Sequence, residues 1–241
     1  MVFIGAGAAH IRLVTDQDMP PPYRQAREPI FNGFPPIVLL LSAAIIAVSA
    51  LFLFSSESVR DQLWYAFAIL HDPNINYIGR PLGEIGPIFL HVLLHVNAFH
   101  LIMNMAMMIA FGPAIAKALG PGLKGAGLFL GFFFACAAAG AIAQLGWSIA
   151  TRETMAAIGA STALSGFFAA AGWLMGGLRG AVRMSLPWLI INLVIAVAGN
   201  LFVAMFGMRL AWIAHIGGLA GGFVLFPLFL KLARPELKIL R

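Results

Sequence analysis

The chain has 241 residues, of which 61% are hydrophobic and only 10% charged, with a mean hydropathy of +0.93 and a formal net charge of +6. Soluble domains carry about 25% charged residues, so a water-filled exterior is excluded for most of this chain and its solvent is lipid. The excess positive charge is small and sits in tails and loops, which reads as membrane topology and not as a nucleic-acid interface.

No alternating pattern of a β-barrel is present, so helices must satisfy the backbone within the bilayer. Residues 1–36 are polar and proline-rich, with Pro20, Pro21 and Pro22 and then Pro35 and Pro36; they read as a cytoplasmic tail. The extreme N-terminus has no signal-peptide pattern. The first apolar run, 37–54, is therefore expected to be a retained helix that also directs insertion. Residues 55–86 carry Glu57, Arg60, Asp61, Asp72, Arg80 and Glu84 beside Trp64, Tyr65 and Phe67. This segment is too apolar for a solvated loop and is expected to be a partly helical insertion in the membrane interface, where Trp and Tyr are favoured.

Five further helices are expected at 97–116, 122–145, 158–178, 186–206 and 210–230, each near the ~20 residues that span a bilayer. The domain so defined, 37–232, is an all-α polytopic bundle of six transmembrane helices, followed by a short basic tail, 233–241. Arg12, Arg24, Arg27, Lys117, Lys124, Arg179, Arg183, Lys231, Arg234, Lys238 and Arg241 fall on the side of both tails. Only Arg60, Arg80, Arg152 and Arg209 fall on the other. The bias places both termini in the cytoplasm, and the protein is expected in a bacterial inner membrane with its site opening outward. Cys136 stands alone in the chain, which excludes an intrachain disulfide and leaves a small core residue.

A polar constellation recurs at one depth. Ser161 lies in the first turn of the fourth helix, His215 about five residues into the sixth, and His100 and Asn104 about three and seven residues into the second. At ~1.5 Å per residue these groups share a layer near the outer ends of their helices. Ser161, Ser165, Gly172 and Gly176 fall on one face, and His215, Gly218 and Gly222 on another. Small residues spaced in this way let two helices approach closely, which brings Ser161 towards His215. The same residues also fit a packing seam that happens to carry a serine and a histidine.

A serine hydroxyl is a weak nucleophile that an adjacent base activates, and a neutral imidazole is such a base near pH 7. No Asp or Glu falls within the six predicted helices, so a hydrolase of this kind would use a dyad. His100 and Asn104, four residues apart on one helix face, could donate to an oxyanion together with the Ser161 backbone N–H. His91 and His95 have the spacing of a metal pair, but the step to His100 puts them on the opposite face of a continuous helix. Asn97 is a good N-cap that would separate them from it. They are expected to brace the insertion, with no metal.

Three of these motifs, in this order, resemble those of the rhomboid intramembrane serine proteases over about residues 55–230. They are His91-x-x-x-His95-x-x-x-x-His100-x-x-x-Asn104, then Gly159-Ala160-Ser161, then His215-Ile216-x-Gly218-x-x-x-Gly222. The resemblance implies hydrolysis of peptide bonds in transmembrane segments of single-span proteins within the lipid bilayer. Ser161 is then the nucleophile and His215 the general base. His100, Asn104 and the Ser161 N–H make the oxyanion hole, and no cofactor or nucleic acid is involved. It also implies a lateral entry near the fifth helix and a lid between the fifth and sixth, with Phe202, Phe206 and Met208 as gate or lid residues; ordinary lipid contact is the alternative for these three.

The chain departs from the family pattern at three places. Thr162 replaces the usual glycine after the serine. Ser165 replaces an aromatic that stacks on the histidine, which leaves His215 without a buttress unless another aromatic such as Trp212 substitutes. Gly86 and Pro87 stand where the insertion often carries Trp-Arg. Thr162 and Ser165 motivate a second reading, a catalytically inactive rhomboid-like protein that binds membrane clients. A histidine-lined transporter is a third, weakened by the lack of an inverted repeat or an intramembrane carboxylate.

Overall fold

The computed structural model describes residues 33–206 and 210–235. The chain divides into two units, 1–34 and 35–241. The first lies almost wholly outside the described residues, as does the C-terminal tail beyond 235, so the two predicted tails are left there. All that follows concerns the second unit.

Helix α1, Pro36–Phe54, starts on a proline, whose missing N–H and fixed φ suit a first turn. The insertion that follows contains α2, Glu57–Phe67, a three-residue strand β1, Ile69–His71, and α3, Gly86–Leu90, which runs into a single 3₁₀ turn, His91–Leu93. Asn97 then caps α4, Ala98–Leu119, its side chain accepting from the His100 N–H at 2.8 Å. Helix α5, Gly122–Thr151, runs beyond the predicted end at 145. Strand β2, Met155–Ala157, pairs antiparallel with β1, Ile69 opposite Ala157. Helices α6, Ser161–Val197, α7, Gly199–Phe206, and α8, Trp212–Ala233, complete the chain.

Among the described residues, α1, α4, α5, α6 and α8 are long and apolar enough to cross a membrane. With their many exposed apolar side chains, from Leu40 on α1 to Val224 on α8, they make the chain a multi-pass integral membrane protein. The predicted fourth and fifth helices are both present, but with other bounds, 161–175 and 178–197, and they are joined by a sharp turn at Gly176 and Gly177 and not by a loop at 179–185. They lie within the 37 residues of α6, which turns at Gly176 and Gly177, where the backbone leaves helical geometry and Gly177 takes φ +59°. The second limb, 178–197, folds back on the first, 161–175. A Cβ on Gly172 would lie 2.4 Å from the Gly180 carbonyl oxygen and 2.6 Å from Ala181 Cα. The predicted span 186–206 is also cut, since α7 begins at Gly199.

Small residues set the packing of α6 on α8, although one position away from the expected seam. Gly166, not Ser165, faces α8. A Cβ on Gly218 would sit 1.9 Å from the Thr162 carbonyl oxygen, and one on Gly222 2.2 Å from that of Gly166. Helix α5 joins them through Gly140, against Thr162 Cγ2 and the Ala214 carbonyl. Cys136 is buried beside Gly166 in this junction. Farther along, Phe129, Phe132, Phe133, Phe167 and Phe226 form a fully buried aromatic core.

The insertion is built around buried polar groups. Arg80 is buried, with Nε donating to the Tyr65 carbonyl at 2.9 Å and a terminal nitrogen to that of Ala68 at 2.5 Å. Arg80 thus ties the chain near residue 80 to α2 and to Ala68, just before β1, through backbone carbonyls. His91 Nδ1 lies 2.9 Å from the Pro87 carbonyl and Nε2 3.2 Å from Thr162 Oγ1. His95 Nδ1 lies 2.8 Å from Ser49 Oγ on α1, and Nε2 accepts from the Ala160 N–H at 3.4 Å.

Two outcomes follow. Gly218→Ala places a methyl against backbone that no rotamer change can clear. It is expected to lower thermal stability in detergent by at least the ~1–3 kcal/mol of an overpacked core. Gly146→Ala on α5, where a Cβ meets nothing within 4 Å, is expected to leave the melting temperature unchanged. Burial also holds the pKa of His91 at about 4, and burial with His100 alongside holds that of His95 at about 3. Once the insertion is released, both imidazoles return towards 6.5 and take up protons that the folded form refuses. Stability is therefore full above pH 6.5 and declines as the pH falls towards 4, as melting curves between pH 7 and 4 would show, and His91→Gln should flatten the decline.

Candidate active site

The approach to Ser161 is fixed before the helix begins. Pairing with β1 holds Met155–Ala157 extended, and the next residues turn sharply. Gly159 has φ +123°, donates its N–H to the His91 carbonyl at 2.9 Å, and has no room for a side chain, since a Cβ would lie 2.6 Å from His100 Cε1. Glycine is the residue that meets both demands. The turn delivers Ser161 as the first residue of α6, where helix geometry leaves its N–H without an intrahelical acceptor.

On α8, His215 lies in the first turn, buried. Its Nε2 is 2.7 Å from Ser161 Oγ. Its Nδ1 is 2.7 Å from Oδ1 of Asn192, a fully buried residue on the second limb of α6. Asn192 Nδ2 donates to the Trp188 carbonyl one turn earlier, at 2.8 Å. The Trp188 ring lies 5.8 Å from the His215 ring and stacks on Phe168 at 4.6 Å. The Trp188 indole N–H donates to Ser165 Oγ at 3.0 Å, and Ser165 Oγ donates to the Ser161 carbonyl at 2.7 Å. The aromatic beside His215 thus comes from the returning limb, and Ser165 is its hydrogen-bond partner. Trp212 is not that buttress; it packs edge-on against Trp147 at 5.7 Å.

Ser161, His215 and His100 line a cavity of about 640 Å³ together with Gln144, Trp147 and Ile195. His100 Nδ1 is a buried nitrogen without a partner among the described residues. Asn104 lies one turn deeper, buried. Its Nδ2 donates to the His100 carbonyl at 2.7 Å, and its Oδ1 has no partner among the described residues. Thr162 also lines the cavity, with its hydroxyl 3.2 Å from His91 Nε2 and its methyl against Gly140. The ring nitrogens of His91 and His95 are all engaged in the braces described above. Phe202 and Phe206 fall on α7, but their side chains, like Met208 as a whole, lie outside the described residues.

A hydroxyl at hydrogen-bond distance from an imidazole nitrogen can pass its proton to that nitrogen as it attacks an electrophile. Sequence reasoning missed Asn192 and Trp188. Their signal was available: an asparagine in an otherwise apolar run asks for a partner inside the bundle, and a tryptophan stands four residues before it on the same face.

The sequence profile of the Rhomboid domain matches residues 82–232, well over half of the chain. No curated protein matches it. The match takes in α4 to α8 and every residue of the constellation around Ser161 and His215, and the chain belongs to the rhomboid family.

Proposed function

We propose that this protein is an intramembrane serine endopeptidase, with Ser161 as nucleophile and His215 as general base. The 2.7 Å contact of Ser161 Oγ with His215 Nε2, at the wall of a cavity, carries the reading. Oγ attacks the carbonyl carbon of the scissile peptide while its proton passes to Nε2. The carbonyl oxygen becomes an oxyanion, met by the Ser161 N–H and the His100 side chain, with the second Asn104 amide hydrogen behind it. The adduct then collapses, the C–N bond breaks, and Nε2 returns the proton to the leaving amine. Water attacks the acyl-enzyme by the same route, releases the new carboxyl end and restores the serine.

In this reading the two limbs of α6 each cross the bilayer, which makes six crossings with both termini cytoplasmic. The limb 178–197 has about the 30 Å length that a crossing needs. The cavity then opens to the outer side of a bacterial inner membrane, and single-span membrane proteins are the substrates. The inactive-binder alternative drew on Thr162 and Ser165. Each hydroxyl is engaged away from Ser161 Oγ, that of Thr162 with His91 and that of Ser165 between the Trp188 indole and the Ser161 carbonyl, so neither obstructs the chemistry.

Reconstituted with a transmembrane reporter, the wild type is expected to cleave and Ser161→Ala to fall to background. Equal cleavage by both would end the assignment, and client binding without cleavage by the wild type would favour the binder. His100→Ala is expected to lower kcat by roughly 10²-fold, the usual effect of losing one oxyanion donor, with Ser161 still present.

A further inference from the structure

We propose that Asn192 is a positioning residue that holds His215 in the Nδ1–H tautomer, so that the pair works as a Ser–His–Asn chain. The inference rests on the serine-hydrolase reading of the site. A neutral imidazole has one N–H and one lone pair, and a general base acting on Ser161 needs the lone pair on Nε2. An unconstrained histidine in water favours the opposite form. Something must therefore bias the ring, and α6 and α8 contain no Asp or Glu to do it.

The geometry around Asn192 supplies that bias. Its Nδ2 faces the Trp188 carbonyl, an obligate acceptor, at 2.8 Å. Turning the amide over would set two oxygens against each other there. Oδ1 is therefore the atom that faces His215, at 2.7 Å, and it can only accept. The proton on that side must belong to Nδ1, which leaves Nε2 bare towards the Ser161 hydroxyl at 2.7 Å. Asn192 is fully buried, so no water competes for the contact. The Trp188 ring, one turn away on the same limb, covers the imidazole. Orientation and cover of the base therefore both come from 178–197, the limb whose Ile195, Ala196 and Val197 also wall the cavity.

The full-length protein in proteoliposomes tests this with Asn192→Leu, near in shape and without an acceptor, and Asn192→Asp, which keeps one. Asn192→Leu is expected to lower kcat about tenfold or more, with KM little changed, as the loss of one buried hydrogen bond in the reacting state requires. Asn192→Asp should recover most of the loss. With ¹⁵N-labelled histidine, the His215 ring signals, identified by their absence in His215→Ala, should show Nδ1–H in the wild type and lose that pattern in Asn192→Leu. Full activity of Asn192→Leu would overturn the proposal, as would equal loss in both variants with the Nδ1–H pattern intact. Ser161→Ala run alongside separates the two readings. If it is inactive while Asn192→Leu is fully active, only the role of Asn192 falls; if it still cleaves, the hydrolase reading itself falls.

Discussion

Backbone-to-backbone contact between α6 and α8 is the constraint on which the site depends. Ser161 and His215 are 54 residues apart and sit in the first turns of two different helices. Their hydrogen bond requires those turns to lie side by side at one level. Gly218 against the Thr162 carbonyl and Gly222 against that of Gly166 allow it. Any side chain at either glycine would part the helices by more than a 2.7 Å contact tolerates. Lipid supplies no hydrophobic force to press helices together, so close van der Waals approach and polar contacts between them must do that work.

The polar groups inside the bundle form two connected sets. One ties the insertion to the bundle, from Ser49 through His95 to the Ala160 amide, and from Pro87 through His91 to Thr162. The other runs from Ser161 through His215 and Asn192 to Trp188 and Ser165. They meet at adjacent residues, Ala160, Ser161 and Thr162, so the placement of the serine is fixed from both sides. His100 Nδ1, which has no partner among the described residues, belongs to a residue that lines the cavity. A buried polar atom without a partner is costly in a packed core.

Local chemistry was legible in the sequence where it depends on one element. The Asn97 cap, the shared face of His100 and Asn104, and the glycine seam of α8 follow from helical spacing alone. What sequence reading lost depends on where elements meet. The reversal at Gly176 and Gly177 looked like an ordinary pair of glycines in an apolar run, so the limb 178–197 received the wrong boundaries and its inward face was never examined. Asn192 and Trp188 fell inside the predicted helix 186–206, but only the folded limb shows that both face His215. Ser165 looked like a missing aromatic because the aromatic that covers His215 comes from 23 residues farther along. The β1–β2 pair, three residues on each side, is too short for a period to show, and the burial of Arg80 depends on carbonyls that only the folded insertion presents.

The central claim is that the Ser161 hydroxyl is activated by contact with His215. Mass-spectrometric mapping of the adduct left by a fluorophosphonate probe on the membrane-embedded protein tests it most directly. The account predicts a single modified residue, Ser161, and no adduct there in His215→Ala. A wild type that cleaves a transmembrane reporter while its adduct maps to another residue, or that labels equally well without the histidine, would contradict it.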